Sequence, residues 1–215
     1  MTDSSLRITE IFYSLQGESN TVGLPTVFIR LTGCPLRCVY CDTAYAFTGG
    51  QRMSLAAILS AVAEYDTRYV TVTGGEPLAQ PVCLELMTAL ADAGYKVSLE
   101  TSGAIDVSGV DARVIKVMDL KTPSSGELAK NLYQNIDFIG SDDQIKFVIG
   151  TNEDYDWSKA LLTEYNLTER CQVLFSPVMG QQHPTELADK ILQDRLPVRF
   201  QIQLHKLLWN DAQGK

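Results

Sequence analysis

Apolar positions along the chain follow two alternating rhythms. One is the run of β-branched and aromatic residues that marks a strand; the other sets apolar residues three and four apart, as one face of a helix requires. The segment T-V-F-I-R-L at 26–31 is of the first kind. Ser54 then stands as an N-cap before Leu55, Ile58, Leu59 and Val62 at helical spacing. A short strand over 69–73 stops at Gly74-Gly75. Pro81 sits where a first helical turn accepts it, Cys83, Leu86, Met87 and Leu90 form the buried face, and Gly94 closes that helix. Further strands are expected over 96–99, 114–120, 145–149, 171–175 and 200–204, with helices over 152–165 and 184–194. The stretch 122–141 reads as loop with a short helix.

Repeated βα alternation predicts a mostly parallel sheet with helical crossovers. Roughly six strands fall short of the ~250 residues typical of a closed eight-stranded barrel. The expected fold is therefore α/β: one domain over 1–215, a partial TIM-like barrel. Polar residues collect at the C-terminal ends of the proposed strands: Arg30, Thr73, Glu100 to Ser102, Asp119 with Lys121, Ser176 and His205. In βα barrels that rim carries the active site. A strand end is also simply where solvent begins, so the argument rests on their number.

Composition narrows the class. The chain has 215 residues, 45% hydrophobic and 20% charged, as a globular protein would. Its formal charge of −8 argues against a nucleic-acid partner, which needs clustered cations. No apolar run approaches a membrane span, and the start lacks the basic and apolar regions of a leader, so a cytoplasmic protein with a small-molecule substrate is expected.

Five cysteines make an odd number, which disfavours a paired disulfide framework. Three of them form Cys34-Pro-Leu-Arg-Cys38-Val-Tyr-Cys41, spaced C-x3-C-x2-C. Thiolates are soft ligands, and a short loop can wrap three corners of a cubane while leaving one iron without a protein donor. A structural zinc would want a closed set of four, which Asp42 could complete. Cys83 lies on a helical apolar stripe and Cys171 alternates with Val173 and Phe175, so both read as buried small hydrophobes.

That triplet, with Tyr40 before its third cysteine, resembles the signature of the radical S-adenosylmethionine superfamily. Thr73-Gly74-Gly75-Glu76-Pro77 resembles its G-G-E-P motif. The resemblance extends over nearly the whole chain to the 7-carboxy-7-deazaguanine synthases of 7-deazapurine (queuosine) biosynthesis. It is carried by Phe12 to Glu18, Val27 to Cys34, Cys41-Asp42-Thr43, Glu100 to Gly103 and Gln203-Leu204-His205-Lys206. It implies a [4Fe-4S] cluster on Cys34, Cys38 and Cys41, S-adenosylmethionine used catalytically, and Mg2+ on Thr43. The substrate would be 6-carboxytetrahydropterin, contracted to 7-carboxy-7-deazaguanine with loss of ammonia. Leu15, Gln16, Gly17, Thr73 and His205 would touch the pterin, and Arg30 would clamp its carboxylate. The cofactor side would be served by Tyr40, Cys41, Asp42, Gly75, Glu76, Asp119, Leu120, Lys121, Ser176, Pro177, Val178 and Met179. A homodimer and an electron donor of flavodoxin or ferredoxin type are also implied.

Some positions depart from the family pattern. Ser19 stands where Q-G-E-G ends, Asp119-Leu120-Lys121 replaces S-P-K, and Leu204 replaces the threonine of Q-T-H-K. The chain also continues past Asn210, where relatives often stop, which leaves Asp211 a weak candidate for the substrate contact their terminus makes. Asp119-Leu120-Lys121 resembles the D-L-K of glycyl-radical-enzyme activases, which stands as the alternative enzyme. A zinc-binding scaffold without chemistry stands as the alternative of another class.

Overall fold

The computed structural model describes residues 4–210 and 212–215. Asp211 and part of the chain start used above for localisation lie outside the described residues. In chain order the strands and helices are β1 (Ser5–Leu15), β2 (Pro25–Leu31), β3 (Gln51–Ser54), α1 (Leu55–Ala63), β4 (Tyr69–Gly74), α2 (Cys83–Asp92), β5 (Lys96–Thr101) and β6 (Ile115–Leu120). There follow β7 (Gln144–Ile149), α3 (Asn152–Glu164), α4 (Leu167–Arg170), β8 (Gln172–Pro177), α5 (Pro184–Asp194), β9 (Arg199–Phe200) and α6 (Leu204–Trp209).

The strands form one nine-stranded sheet in the order β3-β1-β2-β4-β5-β6-β7-β8-β9. From β2 onward every neighbouring pair is parallel, while β1 runs antiparallel to both β2 and β3. The sheet is curled but not closed, an incomplete barrel as expected. β1 and β3 were not anticipated: the polar-interrupted S-L-R-I-T-E-I and Q-R-M-S segments carry no strong strand signal, and pairing to β2 organises them.

Two-residue alternation sorts each strand between two environments. Val27, Ile29, Val70, Val72, Val97 and Leu99 face α1 and α2 in one fully buried cluster. Met118, Leu120, Ile145, Phe147, Val173 and Phe175 do the same beneath α3 and α5. Each buried side chain of this size contributes about 1.5–3 kcal/mol. The outer face of the sheet therefore supplies the stability, and the alternate positions are left to line the interior.

Local signals behave as read. The Ser54 side chain accepts the Ala57 N–H at 3.2 Å to cap α1, and Gly94 ends α2 at φ +88°. Two crossovers lack an α-helix, the second in keeping with the loop and short helix expected over 122–141. The β5–β6 connection holds no helix, and 122–141 is crossed by three short 3-10 turns, Pro123–Ser125, Leu128–Lys130 and Tyr133–Phe138. Asp154 steadies this region: besides its capping box with Thr151, its carboxylate accepts the Ser124 N–H at 2.8 Å.

The strand expected over 200–204 is corrected to two paired residues, after which the chain turns into α6. The Gln201 N–H still bonds Phe175 O, but its side chain is diverted across the open seam. There Gln201 Oε1 accepts the Ser19 N–H at 2.7 Å and its Nε2 donates to Ser19 O at 2.8 Å. This amide pair, not strand pairing, bridges the barrel's gap. Ser19 sits at φ +66°, a left-handed conformation that explains why glycine suits the position.

Candidate active site

The inward residues of the strands meet at their C-terminal ends around a cavity of about 500 Å³, within the usual range for a small-molecule site. Arg30, Thr73, Glu100, Asp119 and Lys146 come from β2, β4, β5, β6 and β7 in turn, each at the polar phase of its strand. The loop from 32 to 43 forms one side and α6 the other; residues 212–215 line the mouth.

The cysteine loop is held at several points. Thr9 and Thr32 hydroxyls bond at 2.7 Å, the Gly33 N–H donates to Ala46 O at 2.8 Å, and the Val39 N–H to Ser125 O at 3.0 Å. Arg37 lies 4.3 Å over the Phe47 ring and donates to Cys34 O at 2.8 Å. Cys34 and Cys38 are half-buried, Cys41 is exposed, and all three line the cavity. Burial pushes the Cys34 and Cys38 thiols up, so their ligation requires a metal to displace the protons. Cys34 Sγ already accepts the Leu36 N–H at 3.4 Å. Among the described residues no three His, Cys, Asp or Glu side chains converge on a single ion's position. A cubane has its irons at separate corners, so three thiols on one loop around an open cavity fit it without converging. Cys83 and Cys171 are buried in the core.

Gly74-Gly75-Glu76 serves a purpose not apparent from the motif. A Cβ on Gly75 would stand 2.2 Å from Gly33 O and 2.8 Å from Cys34 Cβ, and one on Gly74 would stand 2.3 Å from Leu31 O. The glycines let β4's end lie flush against the chain entering the cysteine loop. Glu76 is fully buried behind the cavity wall. Its carboxylate accepts from Leu78 N–H at 3.1 Å, Thr101 Oγ1 at 2.9 Å, Ser102 N–H at 2.7 Å and the Ser102 hydroxyl. Its acceptor capacity is spent on tying β4 to β5.

Opposite the cysteines, Gln16 is buried, its Nε2 donating to Thr71 Oγ1 at 3.0 Å and Glu100 Oε1 at 3.3 Å. Thr73 donates to the other Glu100 oxygen at 2.9 Å. Arg30 spends Nε on Glu10 at 2.7 Å and lies over the Phe12 and Tyr45 rings. No protein acceptor among the described residues bonds its two terminal nitrogens. His205, expected at a strand end, is instead in the first turn of α6. It reaches the cavity because Leu204 N–H donates to Gly17 O at 3.0 Å and Gly17 has no side chain to exclude its ring. Asp42 accepts from Thr43 Oγ1 at 2.8 Å, Lys206 at 3.1 Å and Gln203 at 3.3 Å, joining the cysteine loop to α6. Burial opposes its charge, but Lys206 and Thr43 hold the carboxyl well below its usual range.

A chain of alternating charges crosses the cavity floor. Glu18 pairs with Lys146 at 2.6 Å, Lys146 with Asp119 at 3.4 Å, and Asp119 with Lys121 at 3.1 Å. Burial works against each charge, yet Lys146 holds Glu18 below the usual carboxylate range, and Glu18, Asp119 and Glu100 hold Lys146 far above the usual ammonium range. Burial, then Glu18, pushes Glu100 up. Burial and Asp119 push Tyr40 up to about 12, its hydroxyl 3.2 Å from that of Thr122.

Of the residues singled out from sequence, Leu15, Gln16, Gly17, Arg30, the cysteines, Tyr40, Asp42, Thr43, Thr73, Gly75, Asp119, Lys121, Val178, Met179 and His205 line this cavity. Leu120 points into the core, Ser176 and Pro177 are buried in the wall, and Glu76 lies behind it. Glu18, Glu100, Lys146 and Gln203 also line the cavity without having been assigned a role. For Lys146 the signal was available: a charge between Ile145 and Phe147 occupies the inward phase of its strand.

Residues 28–124 match the Radical SAM superfamily. The chain is 43% identical to the 7-carboxy-7-deazaguanine synthase of Chlorobaculum tepidum over 99% of each protein. It is 38% identical to that of Koribacter versatilis over 95% of this chain and 97% of the relative. In fold it is similar to the crystal structure of QueE from Escherichia coli, with a TM-score of 0.77 at 24% identity over 94% and 95% of the two chains.

Proposed function

The chain belongs to the 7-carboxy-7-deazaguanine synthases of the radical S-adenosylmethionine superfamily, and from that premise we propose how its cavity divides between cofactor and substrate. It is a carbon–nitrogen lyase of the queuosine pathway, converting 6-carboxy-5,6,7,8-tetrahydropterin to 7-carboxy-7-deazaguanine and ammonia. When bound, a [4Fe-4S] cluster with S-adenosylmethionine supplies the hydrogen-abstracting 5′-deoxyadenosyl radical.

Cys34, Cys38 and Cys41 hold the cluster, and Gly75 places the backbone of β4's end beside them. Tyr40, Asp42, Asp119, Lys121, Val178 and Met179 border the cofactor; Leu120, Ser176 and Pro177 shape that wall from within, and Glu76 fixes it. Leu15, Gln16, Gly17, Thr73 and His205 face the pterin, whose amide-like edge needs both donors and acceptors. The free terminal nitrogens of Arg30 receive its carboxylate as a fork receives two oxygens. Thr43, whose hydroxyl already meets the Asp42 carboxylate, binds Mg2+, a hard cation suited to oxygen ligands. We further propose that residues 1–215 make one radical SAM domain, that two copies associate, and that a flavodoxin or ferredoxin-type donor reduces the cluster in the cytoplasm. No helix among the described residues is long and apolar enough to cross a membrane.

The observation that carries this division is the convergence of the three-cysteine loop and the inward polar positions of five successive strands on one cavity. The activase alternative is not favoured, because the relatives matched over nearly the whole chain are 7-carboxy-7-deazaguanine synthases. The test is anaerobic incubation of reconstituted protein with reductant, S-adenosylmethionine and 6-carboxytetrahydropterin. Iron-loaded protein that forms no 7-carboxy-7-deazaguanine ends the reading, and zinc at one per chain without iron or sulfide replaces it with the scaffold.

A further inference from the structure

Lys146, on the cavity floor, is in contact with both halves of the site. From the middle of β7 its ammonium reaches Glu18, beside the Gln16-Gly17 segment, at 2.6 Å and Asp119, at the cofactor edge, at 3.4 Å. Side-chain exposures of 14%, 13% and 17% keep all three largely out of water. Three buried charges are a poor way to stabilise a fold, since desolvation offsets much of their attraction and apolar residues would serve as well. The neighbouring inward position on β7, Val148, shows that the strand accepts an apolar residue facing this cavity. The other partners point the same way: Glu18 also accepts from Gln203 at 2.8 Å, and Asp119 also pairs with Lys121 at 3.1 Å. Asp119 Oδ1 is buried with no partner among the described residues. One lysine therefore links a carboxylate tied to the substrate wall with a carboxylate whose second oxygen is unspent at the cofactor wall.

We propose that Lys146 is a positioning residue that fixes the substrate-side Glu18 and the cofactor-side Asp119 relative to one another, so that radical formation stays coupled to hydrogen abstraction from the pterin. The proposal rests on the functional reading above. Without Lys146, Glu18 and Asp119 become unscreened like charges in a shared interior and move apart. Displacement of about 1 Å at a reacting centre lowers turnover on the order of 100-fold. Cleavage of S-adenosylmethionine depends on the cluster side and continues.

The experiment compares wild type, Lys146→Met, Lys146→Arg and the double variant Glu18→Gln/Lys146→Met, all reconstituted and with melting temperature and iron content measured. The readout is the ratio of 5′-deoxyadenosine to 7-carboxy-7-deazaguanine, together with pterin affinity of the cluster-free proteins by calorimetry. Lys146→Met should raise the ratio at least about tenfold and weaken pterin binding. Lys146→Arg, which keeps the positive charge, should recover part of both. The double variant removes opposite charges together, so it should regain melting temperature over Lys146→Met and remain uncoupled. An unchanged ratio in a folded Lys146→Met or in the double variant overturns the proposal, as does recovery of coupling along with stability in the double variant. Absence of product from iron-loaded wild type overturns the functional reading itself, and the proposal with it.

Discussion

Replacing Gly75 with alanine tests whether the glycine pair serves the cysteine loop or a ligand. Its φ is not in the left-handed region, so an alanine there carries no backbone strain and the effect is purely steric. The added Cβ would lie 2.2 Å from Gly33 O and 2.6 Å from Gly33 C, atoms of backbone that no rotamer change can remove. The loop must retreat by roughly 1 Å to restore ordinary contact, an overpacking that costs about 1–3 kcal/mol. The same retreat breaks the Glu76 N–H bond to Gly33 O at 2.9 Å and strains that of Gly75 N–H to Leu31 O at 3.2 Å; each is worth about 1 kcal/mol. A total of about 2–4 kcal/mol lowers the melting temperature of a chain this long by roughly 5–15 °C. Gly23→Ala is the control: its φ is +83° with nothing within 4 Å, so it carries only conformational strain of about 1–2 kcal/mol. Thermal unfolding of the cluster-free proteins measures the packing term. Iron and sulfide per chain after reconstitution measure whether Cys34 has been displaced, and both should fall in Gly75→Ala. Wild-type melting with full iron content would show that Gly75 does not brace the loop.

Glu76→Gln puts a donor where Thr101, Ser102 and Leu78 all donate, and should destabilise by about 2–4 kcal/mol in denaturant unfolding; an unchanged midpoint would refute the assignment. Glu100, raised by burial and Glu18, holds its proton more tightly folded than unfolded, so its contribution favours the folded state at low pH and is lost as pH rises above about 4.3, the unfolded value. Glu100→Gln should therefore be more stable than wild type at pH 8, with the gain shrinking toward pH 4; a gain independent of pH would contradict this sign. Arg30→Ala should weaken pterin binding about 10–100-fold, as loss of charged hydrogen bonds does, while sparing uncoupled cleavage of S-adenosylmethionine; equal loss of both would remove Arg30 from the carboxylate. Thr43→Ala should blunt the response of turnover to added Mg2+, and an unaltered magnesium titration would exclude Thr43 as its ligand.

The sequence by itself determined the parallel strands, the helices beside them, the cysteine loop and the inward polar phase of each strand. Those features follow from periods of two and 3.6 and from short spacings, which local sterics and side-chain chemistry enforce. It did not determine the roles that depend on residues far apart along the chain. Glu18 and Lys146 are separated by 128 positions and Ser19 and Gln201 by 182. No local pattern announces that 201–206 leaves its strand to seal the seam and deliver His205. Glu76 is the converse case, since its motif predicted a ligand contact and the fold turned its carboxylate into the wall. Which face a side chain takes at the end of a strand depends on what packs across from it, and only the folded chain supplies that neighbour.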